Sequence, residues 1–214
     1  MNFFVKTALQ APEGKAIAVL ALLYAVGVAG VLLPIHPDFM RLTPLNLLVS
    51  TAILLRFQSG QGRRLYFFIA ICYVSGFLAE VYGVQTGRLF GHYAYGEVLG
   101  PKLWGTPLMI GINWVLVSLS AAAFVYWLSP NAPAGVQALI AALAMVALDV
   151  LIEPDAMQYR MWSWENGQVP VKNYFGWFIV SLPLQMLFAL WVRSSKNIVA
   201  AALFILQILF FLLI

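Results

Sequence analysis

The stretch Pro107–Leu128, PLMIGINWVLVSLSAAAFVYWL, contains no charged residue. An apolar run of about 18 or more residues can cross the roughly 30 Å hydrocarbon core of a bilayer as a helix. Working outward from this run, six more segments read the same way. They are Ala16–Leu33, Leu42–Leu55, Leu65–Val84, Ala134–Ile152, Tyr174–Val192 and Asn197–Ile214. Leu42–Leu55 is the shortest, with 14 residues between Arg41 and Arg56, and it crosses only if both arginines snorkel towards head groups. The expected fold is all-α: a polytopic membrane bundle of about seven helices, forming one domain over residues 1–214. A β-barrel would show short alternating segments instead of long continuous runs.

Composition supports the membrane reading. Of 214 residues, 63% are hydrophobic and only 9% charged, against about a quarter charged in ordinary soluble domains. That excludes a disordered tail, a collagen and a soluble nucleic-acid binder. No polar stretch is long enough for an extramembrane domain. The first apolar run lacks a small-x-small cleavage site, so it is expected to be the first span and not a cleavable signal. The single cysteine, Cys72, excludes a disulfide framework within the chain.

Charge is distributed unevenly. With seven spans, the N-terminus and the even-numbered connections share one side. That side carries Lys6, Lys15, Arg56, Arg63, Arg64, Arg193 and Lys196, with Glu13 as its only acid. The other side carries Arg41, Arg88, Lys102, Arg160 and Lys172 together with seven of the eight acids. Basic residues mark cytoplasmic loops, so the expected orientation is N-terminus cytoplasmic, in a bacterial or archaeal cell membrane.

The acids on that second face fall into two clusters. Glu80 lies about one turn from the end of the third span, and Gly76, Glu80, Gly83 and Gly87 recur at helical spacing. They form a narrow face around one carboxyl group, which also suits close helix packing by small residues. A connection rich in Gly and Tyr follows, from Thr86 to Gly96. Its Tyr93 and Tyr95 suit either an aromatic belt or a shaped re-entrant segment, and the density of glycine favours the latter. His92 alone reads as a structural residue.

The second cluster opens with Asp149 and Glu153, four apart on one helix face. Two carboxylates at that spacing resist joint ionisation. Pro154 is expected to end the helix there. Asp155 follows, then Trp162 and Trp164, which point the same way if the backbone is extended. Aromatic faces beside acids suit a carbocation. Glu80, Asp149 and Glu153 are expected in one cavity, with the third and fifth helices adjacent.

Two histidines and one cysteine cannot build a histidine-rich iron or zinc site. No H-E-x-x-H, G-x-S-x-G, P-loop or dinucleotide glycine pattern occurs. No span holds the lysine that a retinal protein needs. The chemistry that remains is acid–base work on a lipid-soluble molecule, with neither metal nor other cofactor. A buried carboxylic acid can protonate an electron-rich alkene. The resulting tertiary cation then meets water, loses a proton or is captured by a second double bond.

The set Glu80-x-x-Gly83, Thr86-Gly87, Phe90-Gly91-x-Tyr93-x-Tyr95, Leu99-Gly100, Pro107 and Trp114 resembles the membrane carotenoid biosynthesis proteins that include the carotenoid hydratases. So does the set Asp149, Glu153-Pro154, Trp162-x-Trp164, Gly167, Pro170, Asn173-Tyr174 and Trp177. The resemblance covers about residues 65–192. It implies addition of water across a terminal double bond of an acyclic carotenoid end group, giving a tertiary alcohol. The expected partners are a carotenoid, water and membrane lipids, and no nucleic acid. Glu80, Asp149, Glu153 and Asp155 are the candidate acid–base set. Asn113 is the candidate for positioning water. Tyr93, Tyr95, Trp114, Trp162, Trp164 and Trp177 are expected to shape the end-group pocket, and Asn173 and Arg88 to orient carboxylates or water. Two other classes share these features: a protonation-initiated terpenoid cyclase, and a transporter or proton pathway.

Overall fold

The computed structural model describes residues 12–33, 39–58, 62–192 and 196–214. Each expected span is a helix. These are α1 (Pro12–Leu32), α2 (Thr43–Arg56), α3 (Arg63–Thr86), α4 (Met109–Leu128), α5 (Ala134–Gln158), α6 (Val171–Leu187) and α7 (Ile198–Leu213). The short second span is lengthened by a 3-10 turn, Phe39–Leu42, so that Phe39–Arg56 is long and apolar enough to cross a membrane. A π turn, Phe188–Val192, extends α6. With that turn counted the second span has 18 residues, and α7, with 16, becomes the shortest apolar helical segment among the described residues. The chain is an integral membrane protein. Of the residues used to orient it, Lys6, Asp38 and Arg193 lie outside the described residues.

The most buried helix is α4, covered on several sides by α3, α5, α7 and α2. Its sequence shows why it can be central. Ser118, Ser120, Ala121, Ala122 and Ala123 are buried, and small side chains let neighbouring backbones approach closely. The helices packed on it also bury small residues, Ala138, Ala141 and Ala142 of α5 and Ala200 and Ala201 of α7. The outer faces present Leu22, Leu45, Phe175, Ile179 and Leu212. Apolar patches on that scale suit lipid as solvent, not water.

Two features depart from the sequence expectation. Pro154 does not end α5; the helix runs on to Gln158 with the proline inside it. The ring removes the bond to the Val150 carbonyl. The following turn is nevertheless secured, because Ala156 is buried and the amides of Tyr159 and Met161 donate to the carbonyls of Asp155 and Ala156, both at 2.8 Å. The connections also contain short strands: β1 (Tyr93–Tyr95), β2 (Lys102–Leu103), β3 (Thr106–Pro107) and β4 (Trp162–Trp164). β2 pairs with β3, and β1 pairs antiparallel with β4 in the register Tyr93↔Trp164, Ala94↔Ser163, Tyr95↔Trp162. This second ribbon joins the α3–α4 and α5–α6 connections over one end of the bundle.

Candidate functional site

Side chains alternate across a strand, so the β1–β4 register sets Tyr93, Tyr95, Trp162 and Trp164 on one face of the ribbon. That face turns inward. Tyr95 and Trp164 are buried, and Tyr93 packs against Trp164 with ring centroids 4.9 Å apart. The rings therefore line the site and do not form an outward belt. Each strand serves one carboxyl group. Glu80 Oε2 accepts from the Tyr93 hydroxyl at 2.5 Å and the Tyr95 hydroxyl at 2.9 Å. Glu153 Oε2 accepts from the indole N–H of Trp162 at 2.9 Å and of Trp164 at 2.8 Å.

The remaining donors come from the helices. Trp114 Nε1 of α4 reaches Glu80 Oε1 at 3.2 Å, and its ring stacks on Trp177 of α6 with centroids 4.4 Å apart. Asn173, at the first turn of α6, uses one amide nitrogen twice. It donates to Asp149 Oδ2 at 2.7 Å and to Glu153 Oε1 at 3.1 Å. Burial, and after it the charge of Glu80, pushes the Tyr93 and Tyr95 phenols well above their usual range, so both stay protonated as donors.

Glycines let the parts approach. Gly76 carries α3 against Trp114: a Cβ there would sit 2.3 Å from the indole Cγ. Gly83 leaves room for Phe90 and the Tyr93 hydroxyl. Gly87 ends α3 in the left-handed conformation, with φ 64°. Its carbonyl accepts from Lys172 Nζ at 3.2 Å, which ties the start of α6 to the end of α3. Lys102 Nζ donates to the Tyr95 carbonyl and to Glu97, each at 2.7 Å, and anchors β1 from its other side.

Glu80, Asp149 and Glu153 are 4%, 2% and 2% exposed. They line one void of about 30 Å³ together with Tyr93, Tyr95, Asn113, Trp162, Trp164, Asn173 and Trp177. That space is large enough for about one or two waters. The expected adjacency of α3 and α5 is not found. Both pack on α4 and on α6 and not along each other, so the carboxyls meet across the void. Trp114 touches the group through Glu80. Asp155 is outside: it does not line the void, and its side chain has no hydrogen bond among the described residues. Two residues beyond Glu153 on a helix, it points about 200° around the axis. Arg88 is also outside, exposed at the start of the connection.

A larger apolar cavity of about 90 Å³ adjoins the void and shares Ile110, Asn113, Asp149, Trp162 and Trp177 with it. Its far wall brings in Tyr24, Asn46 and Gln207 from α1, α2 and α7. Motif reading missed these three. The available signal was polarity within otherwise apolar spans, which applies to amides and phenols as well as to acids. Among the described residues, no group of three His, Cys, Asp or Glu is arranged to hold a metal ion.

The family model for "Carotenoid biosynthesis protein" matches residues 42–214, and the chain belongs to this family. A bisanhydrobacterioruberin hydratase from Haloarcula japonica is 34% identical over 115 residues. The aligned part covers 51% of this chain and 39% of that protein, so the chain corresponds to well under half of that relative's length. No solved structure matches.

Proposed function

We propose that the protein is a carotenoid hydratase, adding water across the terminal double bond of an acyclic carotenoid end group. The observation that carries this reading is the different provision of donors to the three carboxyls. Glu80 and Glu153 each receive three donors spread over both oxygens. An ionised carboxyl is acceptor-only and suits such surroundings. Asp149 receives one donor, from Asn173, and lines both the polar void and the apolar cavity. It is the carboxyl with an oxygen left to carry a proton towards an apolar ligand.

The steps follow from that placement. Asp149 gives its proton to the less substituted carbon of the terminal double bond, and the positive charge develops on the other carbon, as a tertiary cation. The Glu80 and Glu153 carboxylates and the ring faces of Trp162 and Trp177 stabilise it electrostatically. Asn113 lines both spaces, and its side chain has no hydrogen-bond partner among the described residues. It is placed to hold a water in the void. The water oxygen bonds the cationic carbon, and the proton it releases returns to Asp149. The net change is one added water. The hydratase relative supports the same chemistry, and the void supplies space for the water.

Expression in a lycopene-producing bacterium tests the reading. The pigments should gain the mass of water per reacted end, and the new oxygen should come from heavy-oxygen water. A cyclised product isomeric with the substrate would make the protein a cyclase. Oxygen drawn from molecular oxygen would make it an oxygenase. An unaltered pigment pool would leave the buried acids to a transport role.

The charge bias supports a cytoplasmic N-terminus, with the ribbon and carboxyls at the opposite membrane face. Reporter fusions at Gly60 and Gln168 should then report opposite sides, Gly60 on the cytoplasmic one. The same side for both would overturn this orientation.

A further inference from the structure

The enclosed space around the carboxyls is far smaller than a long polyene. The polar void and the apolar cavity, about 30 Å³ and about 90 Å³, take an end group and a water but not a whole carotenoid. The rest of such a molecule must leave through the wall. The apolar cavity continues into a third space of about 180 Å³, with which it shares Met40, Thr43, Asn46 and Phe210. This outer space lies between α1 and the start of α2 and is bordered by Phe210 of α7. Its rim includes Val26 on α1 and Leu45 on α2, both more than half exposed on the lipid-facing surface. Gly27 keeps it open: a Cβ there would stand 3.0 Å from the Phe210 ring.

We infer that the gap between α1 and α2 is a lateral portal, through which the polyene chain passes from the membrane while its end group reaches Asp149. This inference rests on the proposed hydration for its occupant. Three observations point to a linear hydrocarbon chain. Adjoining spaces share walls all the way from the acid to the lipid face. The walls of the outer part of this path are Leu, Val, Met and Phe side chains, with Thr43 and Asn46 where the two cavities join, and polar Tyr24, Asn113 and Gln207 stand only in the inner part near the acid. Its inner end fits one end group. A polar solute would find too few partners in the outer part of this path.

Val26→Trp and Leu45→Trp place bulk at the rim without disturbing a packed core, because both positions face lipid. Leu22→Trp, exposed on α1 and not lining the gap, is the control. With a long acyclic carotenoid, each rim variant should lose about tenfold or more in kcat/KM, mainly through KM. A short acyclic isoprenoid hydrocarbon with the same end group should suffer a clearly smaller loss, and Leu22→Trp should match the parent with both. Binding is read separately. Asp149→Asn protein in vesicles should bind the long polyene, seen as quenching of indole fluorescence, and either rim substitution added to it should weaken that binding. Rim variants that bind and convert the long polyene as the parent does would overturn the portal, as would absence of polyene binding by the parent. Polyene binding that depends on the rim, without hydration by the parent, would leave the portal standing and overturn the hydratase.

Discussion

Asp149→Asn should lower hydration by about 10²–10⁴-fold, the range for losing a positioned general acid, while the protein still inserts and folds. Asparagine keeps the size of the side chain, and its carbonyl oxygen can still accept from Asn173. It cannot supply the proton. Product mass from pigment-producing cells, normalised to the amount of membrane-inserted protein, is the measurement. Near-parental activity of Asp149→Asn would remove this residue from the acid role and leave the proton to Glu80 or Glu153.

The neighbouring acids should respond differently, because they are surrounded by donors. In Glu80→Gln an amide NH₂ must face either the Trp114 N–H or the Tyr93 and Tyr95 hydroxyls, all of which now donate to the carboxylate. The tyrosine hydroxyls can rotate, but the indole N–H cannot become an acceptor. Glu153→Gln meets the same conflict against Trp162, Trp164 and Asn173. Both variants lose cation stabilisation; Glu153→Gln also leaves an unmatched buried donor, and Glu80→Gln avoids one only by turning both tyrosine hydroxyls away from their present acceptor, so the buried hydrogen bonding is disturbed in each at a cost of about 1–3 kcal/mol. Loss of folded protein alongside loss of activity therefore separates them from Asp149→Asn.

The helices were legible because uninterrupted apolar length is a strong signal and lipid leaves the backbone few alternatives. Glu80, Asp149 and Glu153 were legible as a group because a carboxyl within such a run is costly enough to be noticed. The ribbon was not. Its strands have three residues each, lie in different connections and carry no period long enough to read. That Trp162 and Trp164 share a direction followed from extended backbone, but their turning inward and their pairing with Tyr95 and Tyr93 depend on tertiary packing. Pro154 misled because a local rule for ending helices ignored the burial of Ala156 beyond it. Asp155 and Arg88 entered the candidate set through proximity in sequence, which does not fix direction. The cavity wall from α1, α2 and α7 went unread because Tyr24, Asn46 and Gln207 are uncharged.

The pairing that sequence could not show has a mechanical weak point at Gly96. Its N–H donates to the Met161 carbonyl at 2.8 Å, one residue beyond the Tyr95↔Trp162 pair. A Cβ at Gly96 would lie 2.0 Å from the backbone oxygen of Arg160. That neighbour cannot turn aside as a side-chain end would, because Arg160 already holds a left-handed turn with φ 56° and its chain is fixed by the Met161 amide bond to Ala156. The added methyl must therefore push β1 from β4. Tyr95 and Trp162 move with their strands, and with them one donor to Glu80 and one to Glu153. Gly96→Ala should cost about 1–3 kcal/mol or more, as overpacking of a close contact does, and should reduce hydration at least as severely as removing a single donor. Gly135→Ala is the matched control. Gly135 sits in the first turn of α5 with its nearest neighbour 3.8 Å from the added Cβ, and alanine in a helix is favoured over glycine by about 0.5–1 kcal/mol. Thermal unfolding in detergent together with product yield should show Gly96→Ala less stable and poorly active, with Gly135→Ala as stable as the parent or more so. Equal behaviour of the two variants would mean that the ribbon does not hold the carboxyl donors in place, and the site would have to be organised by the helices alone.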